Sequence, residues 1–97
     1  MAKYETVTLP ADTWTLISAS GESPTNITFE NVGSHPIIVL GTAAQTAPTA
    51  GSTAGLRYPV NTGERNAAMS ELFSGITAIR VYALCQNSSG SVFVSHA

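Results

Sequence analysis

The sequence predicts an all-β fold: a compact antiparallel β-sandwich, jelly-roll or immunoglobulin-like, with about six to eight short strands. Two observations predict it. Apolar residues alternate with polar ones or come in short runs punctuated by Gly, Pro and Asn, which is strand patterning rather than helical patterning. The chain has 97 residues, enough for one layered core spanning 1–97 and too few for separate catalytic and binding halves.

Tyr4 to Leu9 alternates Glu5, Val7 and Leu9 against Tyr4, Thr6 and Thr8, and Pro10 removes a donor and ends the ladder. Thr13 to Ala19 reads as a second strand carrying Trp14, Leu16 and Ile17. After the loop-forming Ser20-Gly21-Glu22-Ser23-Pro24, Thr25 to Asn31 sets Ile27 and Phe29 on one face and Thr28 and Glu30 on the other, a half-buried strand. Both Trp14 and Phe29 are expected inside the core. Asn31 to Pro36 turns the chain, and Ile37-Ile38-Val39-Leu40 is the continuous apolar run of a central strand covered on both faces.

Thr42 to Gly55 contains nothing large enough to anchor a core. A loop this long is uncommon in a small domain and lies against a partner or moves freely. Leu56 to Val60 resumes the alternation, with Pro59 marking an edge strand. Glu64 to Phe73 holds good helix formers but is expected to be an irregular or strand segment. Ala78 to Cys85 and Ser91 to Ser95, separated by Asn87-Ser88-Ser89-Gly90, predict a closing hairpin.

Hydrophobic residues make up 43% of the chain and charged residues 10%, against roughly 25% charged in ordinary soluble domains. The surface is therefore largely Thr, Ser, Asn, Ala and Gly, which suits a protein packed against neighbours, although a β domain with a polar uncharged face has the same composition. Net charge is −2 and the basic residues Lys3, Arg57, Arg65 and Arg80 are dispersed, which disfavours nucleic acid. A single cysteine, Cys85, permits no internal disulfide and fits a reducing compartment. No secretory h-region opens the chain, and no stretch reaches the ~20 apolar residues of a membrane helix.

Chemistry is hard to find. The histidines are His35, in a predicted turn, and His96, near the end of the sequence, neither placed as a general base. Asp12 follows Pro10-Ala11 in a turn where aspartate commonly bonds its own backbone. Glu5, Glu22, Glu30, Glu64 and Glu71 are scattered. No HxH, HExxH, CxxC, calcium-loop or phosphate-loop pattern occurs. The expectation is a non-enzyme with no cofactor and no metal. Exposed aromatics, Tyr58 and Tyr82 among them, would be needed for a sugar platform.

Two segments carry a family resemblance. Val7-Thr8-Leu9-Pro10-Ala11-Asp12-Thr13-Trp14-Thr15-Leu16-Ile17 resembles the opening strand pair of short structural proteins of tailed bacteriophages. Phe29-Glu30-Asn31-Val32-Gly33-Ser34-His35-Pro36-Ile37-Ile38-Val39 is similar to their recurring strand-turn-strand, and the Thr/Ala-rich loop and the Arg80-Val81-Tyr82-Ala83-Leu84 strand continue the likeness. The family is the capsid decoration, or cement, proteins. The resemblance implies a homo-oligomer, dimer or trimer, on the outer capsid surface of a virion. It would be made in the bacterial host cytoplasm and would bind the major capsid protein, with no membrane and no nucleic-acid partner. The contact candidates are Lys3 and Tyr4 in the N-terminal arm, Thr46, Pro48, Thr49, Ser52 and Thr53 in the loop, and Arg57 and Tyr58 on the strand after it, because small side chains permit close approach and termini can add a strand. A tail or fibre module binding a receptor or carbohydrate is the alternative.

Overall fold

Eight strands and one helical turn follow in the order β1 (Lys3–Leu9), β2 (Thr15–Leu16), β3 (Asn26–Asn31), β4 (Ile37–Thr42), β5 (Leu56–Tyr58), β6 (Gly63–Ala68), α1 (Met69–Leu72), β7 (Arg80–Leu84) and β8 (Gly90–His96). These come from a computed structural model, which describes residues 3–19 and 24–97; the expected Ser20–Ser23 loop lies outside the described residues. Two four-stranded sheets form, with strand orders β1-β8-β3-β6 and β2-β7-β4-β5.

One operation generates both orders. The chain folds back on itself as a ribbon whose tip lies between β4 and β5, so that β1 pairs with β8, β2 with β7, β3 with β6 and β4 with β5, all antiparallel. Wrapping that ribbon into two layers adds the β3–β8 and β4–β7 pairings. This is the jelly roll, and it decides between the two kinds of sandwich the sequence allowed.

The winding also corrects the expected closing hairpin. Strands β7 and β8 belong to different sheets, so Gln86–Ser89 crosses the sandwich instead of turning back along one layer. At the crossing, a Cβ on Gly90 would stand 3.0 Å from Cys85 Sγ, which favours glycine there. Thr13–Ala19 contributes only a two-residue strand, β2; beyond it Ile17 and Ser18 donate their amides to the Val81 carbonyl, and Ser18 Oγ accepts from Val81 N at 3.0 Å. Asp12 caps a neighbour, not itself: its Oδ1 accepts from Asn87 N at 2.9 Å. Within 64–73, Met69 and Phe73 are joined by a Phe73 N–H to Met69 O bond of 3.0 Å and are both buried, so burying two apolar side chains one turn apart favours the helical turn over a continued strand.

The core lies between the layers. Leu9, Ile27, Phe29, Val92 and Val94 of the first sheet meet Ile37, Val39, Tyr58, Val81, Ala83 and Cys85 of the second, with Ile17, Met69 and Phe73 closing the ends. Each fully buried large apolar side chain contributes about 1.5–3 kcal/mol. Gly41 is required by this packing, since a Cβ there would sit 2.5 Å from the Phe73 ring.

Candidate functional site

The outer face of the second sheet carries Ile38 and Leu40 of β4, Tyr82 and Leu84 of β7, and Leu16 of β2, as their mutual register shows. Ile38, Tyr82 and Leu84 are nonetheless only 3–5% exposed, although they face away from the core. The β4–β5 connection covers this face. Trp14 Nε1 donates to Ser52 O at 3.1 Å, and Arg80 Nη1 donates to Gln45 O at 3.2 Å. Leu84 shares a cavity of about 90 Å³ with Gly51, Ser52 and Thr53. Within the loop, Thr42 Oγ1 donates to Ala44 O and Ser52 N to Thr49 O.

The loop is therefore a pinned plate rather than a free arm. Thr46, Thr49 and Thr53 are exposed, while Pro48 and Ser52 are half-buried. No residue from Thr42 to Leu56 is charged. Such a surface can dock without stripping water from ions, and much of its ordering cost is met within the fold.

The outer face of the first sheet is different. Tyr4, Thr6 and Thr8 of β1 lie across from Ser95, Phe93 and Ser91 of β8, with Thr28 and Glu30 of β3 beyond them. Tyr4 is 79% exposed and packs edge-to-face on Phe93 with ring centroids 5.2 Å apart. Two shallow depressions lie on this face and share Thr28. One of about 670 Å³ is lined by Tyr4, Asn26, Asn66 and Ser95 among others. The other, about 360 Å³, is lined by Glu30, Asn61, Glu64, Arg65 and Phe93.

The expected contact residues thus fall on opposite faces of the sandwich. Lys3 is half-buried and paired with Glu5 at 3.0 Å, and Tyr4 stands on the first sheet; the loop residues cover the second. Arg57 is exposed on edge strand β5. Tyr58 is no surface residue: it is 8% exposed, stacks edge-to-face on Phe29 at 5.0 Å, and donates to Glu64 Oε2 at 3.0 Å. Tyr82, the other residue expected on a sugar platform, is 5% exposed. The aromatic pair at the surface is the exposed Tyr4 on the half-buried Phe93, legible from two alternating strands that each put one aromatic on the polar face. Trp14, expected in the core, stands outside it because its indole holds the loop.

The titratable groups near one another are structural. Burial, with Asp12 adding, pushes the Cys85 thiol up, and its Sγ faces Pro36 O at 3.6 Å, so it is a poor nucleophile. Burial, then the bond to Glu64, raises the Tyr58 phenol. His35 Nδ1 lies 3.3 Å from both Ser34 Oγ and Ser88 Oγ, in exposed positions. Among the described residues no cluster of three or more His, Cys, Asp or Glu could hold a metal ion, and no helix is long and apolar enough to cross a membrane. Comparisons with family models, curated proteins and solved structures return no match.

Proposed function

We propose that this chain is a non-enzymatic virion structural protein, a bacteriophage decoration protein that binds the outside of the head and stabilises contacts between capsomers. The observation that carries the reading is the pinned, charge-free plate from Thr42 to Leu56 on a jelly-roll framework. Jelly rolls serve both viral shells and lectins, so the surface chemistry and not the fold carries the choice. The plate suits a protein surface: it offers hydroxyls and methyls, carries no charge, and is held in place before binding. Repeated over many equivalent sites, weak contacts of this kind sum to strong attachment. The partner in this reading is the major capsid protein.

The test is sedimentation of phage capsids lacking decoration with purified protein. The reading expects a fixed ratio to the coat subunit, lost on Thr46→Glu/Thr49→Glu/Thr53→Glu while the circular dichroism spectrum is unchanged. Protein that stays in the supernatant with every capsid tried defeats the reading. Binding that survives the triple substitution, or deletion of Thr46–Thr53, moves the contact off the plate.

A second reading, a receptor- or carbohydrate-binding module of a tail or fibre, is favoured by the Tyr4–Phe93 pair beside hydroxyl- and amide-lined depressions. Glycan binding abolished by Tyr4→Ala or Phe93→Ala, with capsid binding absent, would establish it in place of the first.

A further inference from the structure

A sandwich leaves four strand edges open to further pairing, here those of β1, β6, β2 and β5. Three of them are poor templates. Strand β2 has two residues and β5 has three, and β5 runs between Gly55 and Pro59, the latter unable to donate. Strand β6 shifts register against β3 between Ile27 and Phe29, and its Asn66 is left-handed at φ 48°, a bulge of the kind that spoils an edge. Strand β1 alone is long and regular: seven residues, free of proline, in unbroken register with β8 from Lys3↔His96 to Leu9↔Gly90. Among the described residues nothing pairs with its other side.

We infer that β1 is a self-association edge: it pairs antiparallel with β1 of a second copy, joining two four-stranded sheets into one eight-stranded sheet across a twofold axis at Thr6.

The choice of a second copy follows from the edges themselves. Among the described residues the one long, regular edge is β1, and an antiparallel twofold pair needs nothing else. The register follows from overlap and charge. A dyad at Thr6 pairs residue 3 with 9, 4 with 8 and 5 with 7, using all seven residues of the strand. Moving the dyad to Glu5 sets two carboxylates face to face, and moving it to Val7 pairs only Glu5–Leu9, five residues. The Thr6 register opposes threonine to threonine, a favourable cross-strand pair, and brings no like charges opposite. Lys3 and Glu5, already paired within each copy at 3.0 Å, bring no unpaired charge to the joint. The joined sheet presents the Tyr4–Phe93 pairs of both copies on one continuous face.

Light scattering of the full chain and directed crosslinking test this. The expected mass is twice the 10.0 kDa of the chain. Residues facing each other across an antiparallel pair have Cα atoms about 4.5–5.5 Å apart, within disulfide range, and Cys85 is fully buried and takes no part. Thr6→Cys should therefore crosslink to its own symmetry mate under mild oxidation. Thr8→Cys alone should not, whereas Thr8→Cys mixed with Tyr4→Cys should. Thr6→Lys, which opposes two ammonium groups at the dyad, should weaken dimerisation about fivefold or more with the circular dichroism spectrum retained. A monomer at about 100 μM, a trimer, or Thr8→Cys crosslinking as readily as Thr6→Cys overturns the inference. Capsid binding is scored separately. A Thr6→Lys monomer that still sediments with capsids supports both readings, and a wild-type dimer that ignores capsids supports self-association while defeating the decoration reading.

Discussion

The side-chain amide of Asn31, at the end of β3, donates to the backbone carbonyl of Tyr58, at the end of β5, at 3.1 Å in a fully buried position. The same nitrogen donates to His35 O at 2.8 Å, and Oδ1 accepts from Gly33 N at 3.1 Å. One side chain thus closes the turn between β3 and β4 and ties it to the opposite sheet. Gly33 completes the arrangement, because a Cβ there would lie 2.9 Å from Ser91 N. Asn31→Ala is expected to lower stability by about 2–4 kcal/mol, since it leaves buried backbone groups unpaired. Asn31→Asp, which replaces the donor with a second acceptor facing two carbonyls, should cost more at pH 7. Urea unfolding of the two variants checks both the size and the order.

That node accounts for much of what was legible in the sequence. The Asn31-Val32-Gly33 turn, the two-face burial of Ile37-Ile38-Val39 and the alternation of Tyr4 to Leu9 could each be read locally, because period and turn chemistry act over a few residues. The sheet to which each strand belongs could not. Ala78–Cys85 and Ser91–Ser95 look like a hairpin because a short polar turn between two alternating runs is the hairpin signature; their separation into two sheets is set by pairings of β7 with β2 and of β8 with β1, whose partners lie 66 to 93 residues apart in sequence. The site was half legible for the same reason. The loop's composition marked it, but its role as a cover depends on Trp14 and Arg80 reaching it from elsewhere in the chain.

Tyr58 makes stability depend on alkaline pH. Its phenol, ordinarily ionising at 10.0, is raised by burial and then by the bond to Glu64, and the Cys85 thiol is raised from 9.0 by burial and Asp12. In both cases the unfolded chain loses its proton first, so stability is full below the unfolded value and falls as pH rises above it. Denaturant midpoints should hold up to about pH 9 and decline beyond, with the Cys85 contribution beginning first and that of Tyr58 following above 10. Tyr58→Phe should lose about 1 kcal/mol near neutrality through the missing hydrogen bond and show a shallower decline above pH 10. An unchanged slope would mean that this phenol is not the responsible group.

Trp14, with Arg80, ties down the Thr42–Gly55 connection. Trp14→Phe keeps an aromatic ring but removes the indole donor to Ser52 O, and should destabilise the fold by about 1 kcal/mol. The sharper effect is local: amide exchange and proteolysis at Thr46–Thr53 should accelerate far more than in the β-sheets, because the loop opens without global unfolding. Equal acceleration everywhere would mean that the loop is held by the sheet face alone.

His96 is the residue whose role its position near the end of the sequence conceals. It is 7% exposed, and its Nε2 lies 3.0 Å from Ala19 N. A backbone N–H can only donate, so Nε2 must offer a lone pair, and the ring proton of the neutral imidazole belongs on Nδ1, which faces Ala97 O at 3.0 Å. The tautomer is thus fixed by the chain it braces, since Ala19 follows β2 and His96 ends β8, in opposite sheets. Nitrogen-15 spectra of the ring should show Nδ1 protonated and Nε2 bare. His96→Leu fills the space but strands the Ala19 donor and should cost about 1–3 kcal/mol. His96→Gln, whose Oε1 reaches where Nε2 stood, should recover much of that loss. Equal stability of the Leu and Gln variants would show that filling the space, and not the bond to Ala19, is what the fold needs from this position.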